Sequence, residues 1–250
     1  MKIHYASISD CGRVRDHNED SLRIVVPNAG HDVDRDGALF VVADGMGGHR
    51  GGEIASAVAA DEMVRVWGER GECSGTDALR AALADANARV FERSVAEPDL
   101  FGMGTTCTTM GLLQGRAYFV HVGDSRAYLY RDGVLTQLTQ DHSLVGEMVR
   151  SGILTDEDAR HHPRRNVITR SLGIQDTVKP DTPHSPFDIC PGDTFVLCSD
   201  GLTSMVEDDE IAAELTAGSP GEVCGRLVDL ANAHGGRDNI SVIIVTIEPH

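Results

Sequence analysis

Six carboxylates stand where hydrophobic runs begin or end: Glu19 and Asp20 ahead of one, Asp44, Asp124 and Asp200 behind three others, and Asp238 ahead of the last. A single Asp-Gly after an apolar run is ordinarily a turn. Here the layout recurs, as Phe40-Val41-Val42-Ala43-Asp44-Gly45, as Tyr118-Phe119-Val120-His121-Val122-Gly123-Asp124 and as Phe195-Val196-Leu197-Cys198-Ser199-Asp200-Gly201. Buried strands that each end in Asp set carboxylates along one rim of a sheet, and the recurrence favours a shared acidic cluster over unrelated turns. Gathered at a partly buried rim, such groups repel; they must take up protons, destabilise the fold or bind cations. No matching set of Lys and Arg accompanies them. Divalent cations are the economical solution, and oxygen donors without thiolates or regularly spaced histidines favour Mg2+ or Mn2+ over zinc.

Two neighbouring ions sharing a carboxylate and a water would bring that water's pKa towards neutrality. The hydroxide could attack a phosphorus centre in line while the ions neutralise its equatorial oxygens. This chemistry requires no Ser, Cys or His nucleophile. None is evident: there is no GxSxG, and Cys198 lacks the Arg of a CxxxxxR loop. Arg15 precedes the acidic pair in Arg15-Asp16-His17-Asn18-Glu19-Asp20 and offers a planar fork for a phosphate. Taken alone, that polar run reads as a solvated turn. The histidines of 139–175 lack an HxxxH spacing, which argues against zinc.

The elements that must position these groups follow from periodicity. Residues 3–9 and 21–26 read as strands, and 27–37 as a loop. Helices are expected over about 53–68, with Ile54, Val58, Met63 and Val66 on one face, and about 77–94, with Leu79, Leu83, Ala86 and Val90. Short β-type runs at 105–113, 116–122, 126–131 and 134–138 are joined by Gln114-Gly115 and Arg131-Asp132-Gly133, an antiparallel meander rather than βα units. A polar stretch at 139–175, with helical pieces at 143–151 and 155–161, reads as a flap over one end of the sheets. Prolines 180, 183, 186 and 191 mark an extended connector. Helices follow at 207–216 and 220–234, the second opened by Ser219-Pro220-Gly221-Glu222 with cap, proline and acid in order. Isoleucine- and valine-rich ISVIIVTI closes the chain as a strand. Asp10, Asp16, Asp132 and Asp141 are expected to cap turns, and Trp67 and His121 to pack.

The net charge of -17, from 22 basic and 39 acidic residues, excludes a nucleic-acid or anionic-membrane surface. It would also repel a phosphorylated substrate unless bound cations reverse the local field. The 250 residues, 41% apolar, can bury a sizeable core, and no boundary divides them, so a single domain over 1–250 is expected. Scattered cysteines without CxxC read as small buried hydrophobes in a reducing compartment. No signal peptide or long apolar segment stands out, so a cytoplasmic location, with no membrane partner, is expected. Monomer is the default.

RDHNEDS (15–21), VVADGMGGH (41–49), FGMGTTC (101–107), VHVGDSRAYLYRDG (120–133), LTQDHS (138–143), NVITRSLG (166–173), LCSDGL (197–202) and GGRDNISVIIV (235–245) occur in the order of the motif series of the metal-dependent protein phosphatases, type 2C, in their bacterial form. The chain resembles that family over nearly its whole length. The resemblance implies an α+β fold, a four-layer α-β-β-α sandwich of two mainly antiparallel sheets flanked by helices, with the flap at about 139–175. It implies removal of phosphate from phosphoserine and phosphothreonine in proteins, opposite a cognate Ser/Thr kinase. By the same resemblance, Asp44 bridges two core Mn2+ or Mg2+ ions, the Gly45 carbonyl binds the second, and Asp200 and Asp238 bind the first. Glu19 and Asp20 hold metal-bound waters, Asp20 lying nearer the metal in this branch. Asp124 with Asp200 takes a weaker third ion, and Arg15 grips the phosphate. The family's eukaryotic members often carry a His after the Asp-Gly as proton donor; here Met46 stands there, and a water on a metal is the expected substitute, with His49 a weaker one. A catalytically idle relative that binds phosphoproteins as a regulatory module is the competing reading, and the complete acidic set argues against it.

Overall fold

Alternation along Ala38–Met46 decides the layering. Leu39, Val41 and Ala43 pack on one side with Ala55, Ala59, Met63, Leu79 and Leu83. Ala38, Phe40 and Val42 pack on the other with Phe195, Leu197, Ile243 and Val245. A strand whose side chains point alternately up and down, and which is apolar at every position from 38 to 43, needs cover on both faces. Burying a Val, Leu or Phe side chain contributes about 1.5–3 kcal/mol, so leaving either face open would be costly.

The computed structural model describes residues 1–27, 33–47, 51–71, 73, 75–183 and 186–248. Its first half contains β1 (Ile3–Asp10), β2 (Asp20–Val25), α1 (Val33–Asp36), β3 (Ala38–Met46), α2 (Gly51–Gly68), α3 (Gly75–Ala96), β4 (Gly104–Thr105), β5 (Cys107–Leu113) and β6 (Arg116–Val122). Then come β7 (Arg126–Arg131), β8 (Val134–Gln137), α4 (Leu144–Arg150), α5 (Asp156–His161), β9 (Phe187–Asp188), β10 (Thr194–Cys198), α6 (Asp200–Thr203), α7 (Asp208–Glu214), α8 (Pro220–Ala233) and β11 (Ile240–Ile247).

One sheet runs β2-β3-β5-β6-β9, with β4 beside the end of β3; the other runs β1-β11-β10-β7-β8. The ladders joining these strands are antiparallel. Helices α2 and α3 cover the first sheet, and α8 with α6 and α7 covers the second through Leu202, Val206, Ile211, Leu227 and Ala231. The order is helices, sheet, sheet, helices, the α+β sandwich expected from the motifs.

Four local expectations need correction. Asp44 does not end its strand: β3 runs on to Met46 because β4 pairs with it, Gly45 opposite Thr105. Asp20 opens β2 rather than preceding it. The expected loop at 27–37 contains the helical turn α1, although residues 28–32 lie outside the described ones. Asp200 enters a short helix, α6, directly after β10. Elsewhere the caps behave as read: Ser219 accepts from the Glu222 amide, Glu222 reaches back to Ser219, and Pro220 occupies the first turn.

The flap carries α4 and α5, each with its own cap, Ser143 for α4 and the Thr155–Asp158 pair for α5. Its base is stitched by a bridge between Ser143 and Ile168 and by the Thr169 amide donating to the His142 carbonyl at 2.8 Å. Among the described residues, no helix is long and apolar enough to cross a membrane.

Candidate active site

Register brings the first two acids together. β2 and β3 align Ile24 with Phe40, Leu22 with Val42 and Asp20 with Asp44. With a side-chain period of two, all six lie on the same face, the one turned to the second sheet. Asp20 and Asp44 therefore continue the inter-sheet core at its end, where apolar pairs give way to opposed carboxylates. Like charges directly across a ladder are destabilising. The second sheet makes the same change: Leu197 pairs with Ile243 in the core, and one step further Ser199 and Ser241 occupy the equivalent face. Ser199 Oγ donates to Asp20 Oδ2 at 2.8 Å and accepts from the Ser241 amide at 3.0 Å. Asp200 follows Ser199 directly, and Asp238 sits on the turn feeding β11.

The carboxylates shift one another. Burial raises the Asp44 pKa well above the ordinary range, and Asp20, Asp200, Asp124 and Asp238 push it further. Asp200 is raised by burial and then by Asp238; Asp124 by burial and then by Asp200. Asp20 is raised by burial against the opposing hydrogen bonds from Ser241 and Ser199. For Glu19, burial raises the pKa and Arg15 works against it. Distant parts of the chain thus share one negative field.

Two carboxylate oxygens in this cluster, Asp20 Oδ1 and Asp124 Oδ1, are buried without a hydrogen-bond partner. An orphaned buried carboxylate oxygen is costly unless something positive meets it. The donor set is all oxygen, which suits Mg2+ or Mn2+. Among the described residues, no three His, Cys, Asp or Glu side chains already form a closed ligand set. The residues fit such ions.

Each expected site residue can be placed. Arg15 is half exposed, and its Nη2 donates to Asp238 Oδ2 at 2.7 Å, an ion pair that raises its pKa. Among the described residues its other guanidinium nitrogens have no protein acceptor, which leaves one edge of the fork available beside Asp238. The Glu19 carboxylate packs against Gly52, and its amide donates to Asn239 Oδ1 at 2.8 Å. Gly45 is tightly enclosed: a Cβ there would lie 2.1 Å from the Gly52 carbonyl oxygen and 2.6 Å from that of Glu19. At Gly201 a Cβ would fall 1.9 Å from the Asn239 carbonyl oxygen. Glycine follows Asp44 and Asp200 because another backbone passes there, not because the chain turns freely. Met46 is partly buried on β3, and His49 lies outside the described residues.

Sequence reasoning missed the positioning groups. Asn239 joins three segments, with Nδ2 donating to the Cys11 and His17 carbonyls at 3.1 and 2.9 Å while Oδ1 holds Glu19. Thr106 Oγ1 accepts from the Asp44 amide at 2.9 Å and bonds Ser125 Oγ at 2.7 Å, linking Asp44 to the loop of Asp124. Asp141 does not cap a turn; it takes Arg126 Nε and Nη2 at 3.0 and 2.8 Å. The available signal was polar residues on faces where alternation called for apolar ones: Ser199 directly after β10, Ser241 in β11, and Thr106 before β5.

His121 is buried and neutral, as an expected packing residue would be, and it stacks on His142 with centroids 4.9 Å apart. Its Nε2 donates to the Gln140 carbonyl at 3.2 Å, so Nδ1 accepts from Thr108 at 2.9 Å, our tautomer assignment from the partners. His142 Nδ1 accepts from the Gly123 amide at 3.1 Å, which an imidazolium could not do. Burial lowers the His121 pKa to about 4 and lowers that of His142 too. A histidine whose folded pKa is depressed stabilises fully above its unfolded value of about 6.5, and the contribution is lost as pH falls towards its folded pKa. For His121 the loss approaches about 3 kcal/mol by pH 4. The raised acids act oppositely in metal-free protein, so the test is a difference. Urea unfolding from pH 7 to 4.5 should show stability falling more steeply in wild type than in His121→Gln; equal slopes would remove His121 from the balance.

Comparison with known proteins agrees with the geometry. The model of a family described as protein phosphatase 2C matches residues 13–220. The serine/threonine phosphatase stp of Listeria monocytogenes is 39% identical over 249 residues, covering 97% of this chain and 95% of that protein. Serine/threonine protein phosphatase PstP of Mycobacterium tuberculosis is 37% identical over 247 residues, covering 99% of this chain and 45% of PstP. The crystal structure of Mycobacterium tuberculosis PstP/Ppp superposes with a TM-score of 0.87 at 38% identity, covering 98% and 99% of the two chains. A structure described as the catalytic domain of PstP with 2 manganese ions gives 0.83 at 36% identity, covering 98% of each chain.

A two-sheet sandwich whose inter-sheet core ends in opposed carboxylates defines an acidic, metal-seeking hydrolase site. The chain belongs to the protein phosphatase 2C family, the metal-dependent protein phosphatases.

Proposed function

We propose that this chain hydrolyses phosphoserine and phosphothreonine in proteins, using Mn2+ or Mg2+ held by the acids between the sheets. The observation that carries the reading is the convergence of Asp20, Asp44, Asp124 and Asp200 in one field, with two orphaned carboxylate oxygens and Arg15 at the rim. Asp44 would be shared by two ions, with the Gly45 carbonyl toward the second and Asp200 and Asp238 toward the first. Asp124 with Asp200 would take a weaker third. When bound, such ions acidify water and offset the charge of a phosphoryl group.

The chain's own residues do the positioning. Arg15 presents its free guanidinium edge to the phosphate, and Asp238 holds that guanidinium in place. Ser199 fixes the Asp20 carboxylate, and Thr106 fixes the backbone at Asp44. Glu19 and Asp20 would accept hydrogen bonds from the attacking water and hold its lone pair toward phosphorus. The Met46 thioether has no proton to give, so the departing Ser or Thr oxygen takes its proton from water. We further propose that the enzyme acts in the cytoplasm as a monomer, opposite a Ser/Thr kinase; the relatives named serine/threonine phosphatases support the phosphoprotein side of this reading.

The test is Mn2+-dependent hydrolysis of p-nitrophenyl phosphate together with thermal unfolding. Turnover abolished by EDTA and restored by Mn2+ is expected. Ligand binding at 100 times its Kd adds about 2.7 kcal/mol, so saturating Mn2+ should raise Tm by about 5–10 °C. A Tm rise without turnover would identify an idle binding relative; neither effect would remove the metal centre.

A further inference from the structure

Two loops meet in front of Asp238. The Arg13 amide donates to the Gly236 carbonyl at 2.7 Å, and the Arg13 side chain leaves across Gly236, where a Cβ would lie 2.8 Å from Arg13 Cγ. Arg237 follows this Gly235-Gly236 turn, its Cγ 3.9 Å from the place of a Cβ on Gly235. Asn239 binds the Cys11 and His17 carbonyls, so the loops are fastened on both sides of the arginines. Arg13 and Arg237 are exposed, as is Val14 between Arg13 and Arg15. Among the described residues, neither Arg13 nor Arg237 has a carboxylate within ion-pair distance, whereas Arg15 beside them is paired to Asp238. Asp16, on the same loop, is exposed.

In a chain of net charge -17, these arginines stand two residues before Arg15 and directly before Asp238, beside the acidic site. Several other arginines are matched, Arg23 with Asp61, Arg131 with Asp193 and Arg226 with Glu214. Those without an acid among the described residues besides Arg13 and Arg237, such as Arg164 and Arg165 of the flap, are not next in sequence to Arg15 or Asp238. Exposed cations held near a site by fixed backbone, with no acid of their own, complement an anion brought by the substrate. The phosphate itself is the business of Arg15. An extended peptide advances about 3.3 Å per residue, so residues close to the phosphorylated one pass over the neighbouring loops.

We propose that Arg13 and Arg237 form a specificity subsite for a second negative charge, an acidic side chain close to the phosphorylated Ser or Thr, so that the preferred substrates are acidic phosphopeptides. The subsite rests on the phosphatase reading above. The arginines steer and hold the flank of the substrate and take no part in the chemistry.

The experiment compares two phosphothreonine peptides with Mn2+ enzyme, one flanked on both sides by Glu and the other by Gln, beside p-nitrophenyl phosphate. At low salt, kcat/KM for the Glu peptide should exceed that for the Gln peptide about tenfold, and the gap should close as added salt shortens the Debye length. The double variant Arg13→Gln, Arg237→Gln should lose the preference, with turnover of p-nitrophenyl phosphate and the Gln peptide within about twofold of wild type. The Arg13→Lys, Arg237→Lys variant should keep most of it, since point charge rather than a planar fork is required. Equal use of both peptides by wild type, or an undiminished preference in the Gln variant, overturns the subsite. Absence of any p-nitrophenyl phosphate turnover by wild type is a different failure; it overturns the phosphatase reading and the subsite with it.

Discussion

Asp44→Asn should lower kcat/KM for p-nitrophenyl phosphate by about three orders of magnitude while making the metal-free protein more stable. Asp44 lies opposite Asp20 and is pushed by Asp200, Asp124 and Asp238 as well, so it feels the charge of the whole cluster. Neutralising it removes the carboxylate two ions would share, and turnover goes with it. Without metal, the same change relieves like-charge repulsion in a confined place. The amide can still donate to Asp200, whose carboxylate the Asp44 side chain already favours. A gain of about 1–2 kcal/mol in EDTA is expected, a Tm rise of about 2–6 °C for a chain of this size. Mn2+ should then raise the Tm of the variant far less than that of wild type. The opposed signs separate function from fold: a variant that is inactive because it unfolds would lose stability. Full activity, or a lower Tm in EDTA, would contradict the assignment.

Asp238→Asn should be nearly as damaging, for a compound reason. The carboxylate both belongs to the acidic field and holds Arg15 at 2.7 Å. The change should lower kcat/KM by about a hundredfold to a thousandfold, part through the metal and part through a loosened guanidinium. Arg15→Ala should act chiefly on KM, lowering kcat/KM by about ten- to a hundredfold. Because the two side chains act through one contact, the double variant should fall short of the product of the single losses. Steady-state kinetics of the four proteins checks this. Strict multiplicativity would mean that Asp238 does not position Arg15.

How much of this was legible in the chain depended on what kind of signal each residue leaves. The short apolar run before Asp44 reads as a buried strand, and the structure gives each of its faces its own core. The acids were visible because Asp after a buried run recurs. Their closeness was not, since it depends on the pairing register of β2 with β3 and on the crossing of two sheets. Asp44 was expected at a strand end because Asp-Gly ordinarily turns; β4 supplied the partner that let the strand continue. Gly45 and Gly201 are clearance for passing carbonyls, and the chain shows this only as a Gly after each Asp. Asn239 and Ser199 left the weakest trace, for a single polar residue beside an acid reads as a turn until its long-range partners are seen. Asp141 was misread for the same reason, its partner Arg126 being fifteen positions away on another strand.

The most direct measurement is anomalous diffraction from crystals grown with Mn2+. Two manganese peaks flanking the Asp44 carboxylate, with Asp200 and Asp238 turned to one of them and occupied at neutral pH, are predicted. A well-ordered site with Asp20, Asp44 and Asp200 side by side and no anomalous density between them would contradict it.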